Sequence, residues 1–459
     1  MPAVEAVVGV LAGETGAEAV LLDARHRLRA SARTYAAATP GPGCAGALDA
    51  LAGDLGGPLP AATRVTLGSD WVATALHKRR GLTRVAVLRA GGPLTGAVPP
   101  LWTWPPALRD AISAGVAIVD GGAEYDGRHP VPLDVEAVLR FLDAAAEAAE
   151  AVAIVGVFSP IAADDELVVA ELVHRELGRA VPVSLGHEVG SLGLLERENA
   201  TVLNAALTGP TQVLAAALLI ALEERGIRAE PFVTQNDGSA MVLEHAVRYP
   251  GQMLENGSAL AMHGAALMSG IADGVVANDD GARTDTGVLA GGLPREAPDD
   301  VTEIAGVRTT MRRPQVLRLA SEAAPGTTRA AALRNALAAS GVLRDQTTVV
   351  AVGTGAQDVA AGLADMEGVE VVMPAEAGVA GALGAARAFV AGQVEVFCEH
   401  GGPDAEAAVV RAGRAAVERA IHAGADPALV HVVEVEQMPL GYLVAPALRI
   451  RVRAEGPCL

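Results

Sequence analysis

The chain has 459 residues, 51% of them hydrophobic but only 3% aromatic, and a formal net charge of -19. That length suits two or three domains, and a core built from small aliphatic side chains must pack closely, which favours helices layered on sheets. With no basic run, nucleic acid and anionic membranes are poor partners.

The opening "MPAVEAVVGVLAG" carries no positive region ahead of its apolar residues, and the longest apolar run, Val213 to Leu222, is closed by "EERG". Neither a signal peptide nor a membrane span is expected. Cys44, Cys398 and Cys458 lie far apart with no CxxC or CxxH spacing, which offers neither a disulfide framework nor a zinc site. A cytoplasmic protein is the expectation.

The first elements are three strand-like stretches joined by short turns, "EAVVGVLAG", "AEAVLLDAR" and "HRLRASARTY", a meander rather than a βαβ unit. From there Val-rich strand candidates alternate with Ala/Leu/Glu/Arg helix candidates. The strands fall at 83–90, 114–122, 151–158, 180–186, 230–235, 347–355 and 368–374. The helices fall at about 43–53, 132–149, 163–178, 195–225, 327–340, 376–391 and 403–423. This alternation predicts mixed α/β structure with much parallel sheet. "DGVVAN", a turn and "TGVLAGG" repeat the outline of the first hairpin, so each half opens on a strand–turn–strand unit, as in a duplicated domain. Residues 294–328 read as polar and poor in structure, with a smaller break at 399–407.

Several longer motifs stand in order: "VGVLAGETGAEAVLLD", "LGSDWVATALHKRRGL", "VDGGAEYDGRHPVPLD", "VFSP", "ERENATVLNAAL", "TQNDGSAM", "HGAALMSGIADGVVAN", "VGTGAQDV", "AGVAGALGAARAFVAGQVEV" and "EVEQMPLGYLVAPALRIRVRAEG". Together they resemble the hydantoinase A / 5-oxoprolinase family over nearly the whole chain, as a divergent and shortened member. The resemblance implies a two-domain actin-like ATPase (ribonuclease H-like) fold, with duplicated mixed-sheet cores, a nucleotide cleft and a small C-terminal αβ extension. It divides the chain into an N-terminal-like domain at 1–185, a hydantoinase A-like domain with the second core at 186–400, and a C-terminal helix and strands at 401–459. It also implies a hydrolase of cyclic amides such as hydantoins or 5-oxoproline, dependent on ATP and magnesium, and often a second subunit.

The phosphate motifs depart from that pattern. A phosphate hairpin aims backbone N–H groups and a hydroxyl at oxygen, uses Gly for close approach, and holds magnesium by Asp. In the first loop only Gly13 and Thr15 match; Leu11 replaces the metal-side Asp, Glu14 a Gly, Ala17 a Thr and Glu18 the final Asp. A carboxylate at Glu14 facing phosphate would cost on the order of several kcal/mol by repulsion at an effective dielectric near 20. In the second loop Asn278, Asp280 and Ala282 replace Asp, Gly and Thr, while Gly281, Thr284 and Asp285 remain. Asp279 and Asp280 read either as a solvated acidic turn or as a cation site. Asp70, Trp71 and Thr74 replace a hydroxyl, a His and an Asn of the family, and a Gly-rich loop has no counterpart after "GVRTTMRRP". Gly353 and Gly355 stand where relatives approach the nucleoside. ATP use is therefore expected to be altered or lost.

"TQNDGS" puts Gln235, Asn236 and Asp237 at the end of an apolar strand, where open α/β sheets expose polar groups to a cleft. Asp237 reads as a general base, a metal ligand or a helix cap, and Asn236 as a group that polarises a carbonyl. His187 is a candidate proton carrier. Glu196, Asn199, Asn204 and Asp126 are candidate substrate contacts. Glu196 and Glu198 read equally as first-turn acids that suit the helix dipole, Asp126 as part of an acidic surface loop, and His187 as structural; His263 stands where relatives of the resembled family commonly have Arg. No Gly-x-Ser-x-Gly, HExxH or Walker A sequence is present, which removes serine hydrolase, zincin and P-loop chemistry. Two functions stay open: a cyclic-amide hydrolase with a small-molecule substrate and altered ATP use, or a non-catalytic partner or binding subunit on a degenerate ATPase scaffold. A second hydantoinase-type subunit or a homo-oligomer fits either.

Overall fold

The computed structural model describes residues 6–459 except 36–38, 60–61, 282, 298–300, 321–328, 340–345, 400–404 and 441–446. Val8, Val10 and Ala12, alternating along the first strand, are buried, as a period of two demands. That strand, Ala6–Ala12, pairs antiparallel with Gly16–Leu22, which pairs antiparallel with Leu28–Tyr35. On its other side it takes Ala62–Ser69 in parallel, and that strand takes Glu230–Thr234 in parallel.

The second half repeats this order. Gly274–Asp279 and Arg283–Ala290 form an antiparallel hairpin, and Val316–Ala320 pairs with the second of them. Thr347–Val352 then lies parallel to the first, and Val369–Val372 parallel to that. One strand order built twice, each time from a hairpin followed by helix-linked parallel strands, is the duplication expected of an actin-like fold.

Two further units complete the layers. Val85–Gly92, Ser113–Asp120, Ala151–Gly156 and Val183–Leu185 form an all-parallel sheet. The first and third of these are buried at every position, the mark of strands covered on both faces. At the other end of the chain, Val390–Glu399, Ala447–Gly456 and His431–Leu440 extend the first sheet beyond Ala240–Val242.

Two helices lie between the duplicated cores. Asn256–Ser269 buries Met262, Ala265 and Ala266 against Val275, Val276 and Val349 of the second sheet. Ala380–Ala386 buries Ala382 and Ala386 against Val20 and Leu22 of the first. Their backbones nearly touch: a methyl group on Gly264 would strike the Ala380 carbonyl, and one on Gly384 the Leu260 carbonyl. The scarcity of aromatics is thus used to bring layers close together.

Three sequence expectations are corrected. The region 294–328, where described, holds the hairpin Thr302–Ile304/Val307–Thr309 and the strand Val316–Ala320; strands of three residues are too short to print an alternation. Residues 298–300 and 321–328 lie outside the described residues. The single helix at 195–225 is two, Leu194–Ala206 and Thr208–Glu224, bent by 42°. Pro210 sits in the first turn of the second, where its missing N–H costs nothing. The helix over 376–391 is confined to Ala380–Ala386 after a short 3-10 turn, and Val390 already begins a strand. Among the described residues, no single helix is long and apolar enough to cross a membrane.

Candidate active site

The strand Glu230–Thr234 ends in a turn that the sequence itself closes. Gln235 N–H donates to the Ser239 carbonyl at 2.7 Å, Gly238 takes φ 84°, and Asp237 Oδ1 accepts the Ser239 N–H at 2.9 Å and its hydroxyl at 2.6 Å. The other oxygen of Asp237 faces Arg453 at 2.8 Å, on the final strand. Burial pushes the Asp237 carboxyl up, but Arg453 and Ser239 outweigh it and hold it below the usual range. So held, Asp237 stays ionised near neutrality and is a poor proton acceptor.

This turn lines a cavity of about 310 Å³, together with His187, Asn204, Arg312 and Arg451. His187 belongs to the four-residue helix Gly186–Val189 that follows the strand Val183–Leu185. Its Nδ1 lies 2.6 Å from Oε2 of Glu166, which also accepts the His187 backbone N–H at 3.0 Å. The other Glu166 oxygen accepts the Gly156 N–H at 2.8 Å, and the residue is fully buried. A carboxylate at Nδ1 fixes the tautomer with hydrogen there and leaves Nε2 to accept a proton. Glu166 escaped sequence reasoning, although its place on the buried face of the helix Asp164–Glu176, beside Val169, Ala170 and Val173, was a signal.

Arginines gather on the same wall. Arg453 also pairs with Glu455 at 2.7 Å, Arg451 with Glu395 at 3.1 Å, and Arg312 with Glu296. Burial, and then repulsion from Arg451 and Arg453, pushes the Arg312 guanidinium down to about 10. Each of these guanidiniums is thus paired with a carboxylate, and Asp237, Glu296 and Glu395 line the same cavity.

Other expected contacts are committed elsewhere. Asn236 reaches the cavity, but its amide donates to the Gly251 and Arg312 carbonyls, both at 3.1 Å, and its oxygen accepts the Glu255 N–H at 2.8 Å. Gln235 donates to the Ala240 carbonyl at 3.3 Å. Asn204 donates to Ser184 Oγ and the Arg248 carbonyl and accepts the Gly251 N–H. Asn199 accepts from Trp104 Nε1 at 2.6 Å and donates to the Arg308 carbonyl at 2.8 Å, away from the cavity wall. Glu196 faces Arg308 at 3.5 Å and is in the helix's first turn. Glu198 is no dipole-facing surface acid: it forms a buried two-pronged pair with Arg89, at 2.6 and 2.7 Å. Asp126 is exposed and paired with Arg128 at 2.6 Å. His263 is buried beside Phe389, and burial lowers it to about 4.

A second cavity, of about 330 Å³, lies between the two hairpins and is lined by Gly13, Thr15, Gly281 and Gly353 among others. Glu14 does not face it. Lys78 Nζ at 2.8 Å and the Thr74 hydroxyl at 3.3 Å draw that carboxylate to the helix Trp71–Lys78, so the expected repulsion at this position does not arise. Asp279 is buried rather than solvated: it accepts the Gly281 N–H at 2.8 Å and the Thr284 hydroxyl at 2.9 Å, closing its own turn. Its carbonyl takes the Gly355 N–H at 2.9 Å. Asp285 is buried between the Ser258 hydroxyl at 2.5 Å and Arg318 at 3.1 Å. Ala282 lies outside the described residues. Glu18, on the cavity wall, accepts the Ala382 N–H at 2.8 Å, and burial pushes its carboxyl up to about 7.

Compared with curated proteins, the chain matches none. Among solved structures, an ATP-dependent caprolactamase from Pseudomonas jessenii is similar with a TM-score of 0.75 at 16% identity, covering 98% of this chain and 87% of that one. The nucleotide-free structure of acetone carboxylase, from work on ATP-dependent acetone carboxylation, is similar with a TM-score of 0.73 at 13% identity, covering 99% and 88%. At such identities the likeness is one of fold, and that fold is the actin-like ATPase fold. Residues 7–177 match the family described as "Hydantoinase/oxoprolinase N-terminal region". Over that region the chain is similar to the hydantoinase/oxoprolinase family.

Proposed function

We propose that this protein is a cytoplasmic hydrolase that opens a small cyclic amide, hydantoin-like or 5-oxoproline-like, in the cavity beside His187, with ATP use altered or lost. The observation that carries this reading is the Glu166–His187 pair, which leaves Nε2 as a proton acceptor at a cavity rich in arginine. In that role Nε2 takes a proton from water as the oxygen attacks the ring carbonyl, then returns it to the departing nitrogen. Arg312 and Arg451, each paired with a carboxylate, line the cavity where the oxyanion or a substrate carboxylate would lie. Asp237, held ionised by Arg453, orients rather than accepts.

A magnesium nucleotide does not fit the cleft residues. Leu11 and Asn278 stand where the family places carboxylates, and Asp279 is consumed by its own turn. Among the described residues, no group of three or more His, Cys, Asp or Glu is arranged to hold a metal ion. The similarity to a caprolactamase, an enzyme whose name denotes a cyclic amide, supports the ring class.

The test is turnover of hydantoins and 5-oxoproline by the purified chain, with and without ATP and magnesium. Ring opening without ATP is expected, reduced on the order of a hundredfold or more in His187→Asn. Equal rates in the variant would refute the site. A second reading, a non-catalytic partner subunit, is favoured by the internal commitments of Asn236 and Asp237. Absence of turnover, with a second hydantoinase-type subunit co-purifying, would select it.

A further inference from the structure

The helix Thr208–Glu224 carries the longest apolar run of the sequence, Val213 to Leu222, in which every residue is Val, Leu, Ala or Ile. A helix apolar on all sides is ordinarily enclosed on all sides. This one is enclosed on one side only. Leu214, Leu218, Ala221 and Leu222 join the large core that includes the first sheet, whereas Val213, Leu219 and Ile220 are 51, 49 and 53% exposed and Ala216 lies exposed between them. Positions 213, 216 and 220 follow the three- and four-residue spacing of a single helix face, with 219 at its edge.

The two ends of this stripe carry opposite charge. At the N-terminal end the Gly209 N–H donates to Thr83 Oγ1 at 2.9 Å, and a methyl on Gly209 would come within 3.0 Å of the Gly81 carbonyl. That contact puts the exposed Arg79 and Arg80 beside the first turn. Lys78, next to them, is paired with Glu14. At the C-terminal end Glu223 and Glu224 are exposed. Arg225 lies 3.5 Å from Glu224 but is held by both oxygens of Asp49, at 2.6 and 2.8 Å, so this end stays net negative. Beyond it Arg228 and Glu230 are exposed and of opposite sign.

We propose that this helix is the contact surface of a two-fold homodimer, in which the helices of two copies pack antiparallel. A two-fold axis beside Ala216 sets Val213 of one copy against Leu219 and Ile220 of the other, and the alanines at 216 and 217 let the two backbones approach closely. Gly209 and Glu224 lie on opposite sides of that axis at nearly equal distances along the helix, so Arg79 and Arg80 of each copy meet Glu223 and Glu224 of the other. A parallel pairing would set like charges together. The acidic end also opposes an anionic lipid surface, whereas a second copy covers the apolar stripe and neutralises both ends at once. This assembly is independent of the chemistry at His187.

Sedimentation of the full chain at micromolar concentration tests it. The expected species has twice the 46.4 kDa mass of the chain. Ile220→Lys should raise the dimer dissociation constant on the order of a hundredfold, because the substitution enters the interface twice. Arg80→Glu should weaken the dimer as well, and Arg80→Glu combined with Glu223→Arg should restore it, because the exchange rebuilds both charge pairs across the axis. A short bismaleimide should join Ala216→Cys into a covalent dimer faster than it joins the wild type, whose cysteines are Cys44, Cys398 and Cys458. A monomeric wild type overturns the proposal, and so does a dimer indifferent to Ile220→Lys or one in which Ala216→Cys cross-links no faster than the wild type. A monomer that takes a different subunit on this face overturns it too, since the occupant is then not a second copy.

Discussion

Glu166 Oε2 lies 2.6 Å from His187 Nδ1 and accepts the backbone N–H of the same residue, so one buried carboxylate fixes both the ring and the main chain of the histidine at the cavity wall. Glu166 is carried by the helix Asp164–Glu176, and His187 by the short helix Gly186–Val189 that follows the strand Val183–Leu185 of the all-parallel sheet. The histidine thus stands on rigid elements rather than on a loop.

Replacing Glu166 by Gln keeps the shape and removes the charge. An amide N–H aimed at Nδ1 would favour the opposite tautomer, with hydrogen on Nε2. Turnover should fall by about 10- to 100-fold, the usual loss when a ligand-orienting carboxylate is removed, with KM little changed because substrate contacts remain. Steady-state kinetics decide the matter: an unaltered kcat removes the orienting role.

Glu18 predicts a pH dependence of stability. Burial raises its folded-state value from 4.5 to about 7, opposed by the Ala382 and Gly381 amides and by Arg33. A raised carboxyl binds its proton more tightly in the folded state, so this contribution is present below about pH 4.5, declines as pH rises to about 7, and is gone above. The full excursion is on the order of 3 kcal/mol. Urea unfolding of the wild type and of Glu18→Gln from pH 4.5 to 8 isolates it, since the variant should lack this slope. Parallel curves would contradict the assignment.

Much of the fold was legible because the meander, the second hairpin and the Val-rich strands carry strong periodicity, and because the motifs appear in family order. The short strands at 302–309 were not, since three residues cannot display a period. The candidate site was legible at the "TQNDG" turn and at His187, which lie at strand ends where polar groups interrupt apolar runs. The partners that give those residues their character, Glu166, Arg453 and Arg312, come from distant parts of the chain and reach the cavity only through sheet order. Likewise "ERENATVLNAAL" announced itself as a motif, but its polar groups tie elements together: Asn199 bonds Trp104, and Asn204 bonds Ser184. A retained motif marks constraint without saying whether the constraint is chemical or architectural.

The contact between the two central helices gives a sharp stability test. Gly264→Ala places a methyl against the Ala380 carbonyl, a backbone atom that cannot rotate away. Overpacking of this kind costs about 1–3 kcal/mol, and a rigid neighbour puts this site at the upper end. Gly270→Ala, at the residue that ends the same helix, is not a fair control, because φ there is 72°. Gly46→Ala, in a helix with open space around that position, should instead be neutral or stabilising. Chemical denaturation of the two variants separates close approach from general helix propensity, and equal effects would argue against the tight crossing.

The pair Arg89–Glu198 supplies the last test, and it distinguishes architecture from chemistry. Arg89 is fully buried, donates both to Glu198 and to the Thr95 and Val98 carbonyls, and so joins the inserted parallel sheet to the helix Leu194–Ala206. Burial pushes the Glu198 carboxyl up while Arg89 pulls it down, with burial the larger effect. Removing one partner strands the other: Arg89→Met should cost about 3–5 kcal/mol, whereas Arg89→Met combined with Glu198→Leu should recover much of that, as buried pairs replaced by apolar side chains often do. The Thr95 and Val98 carbonyls lose their donors in both variants, so recovery stays incomplete. Denaturant unfolding of the two single variants and the double variant forms a complete cycle. If the double variant is as unstable as the sum of the singles, the pair is not coupled, and Glu198 must be reconsidered as a functional acid.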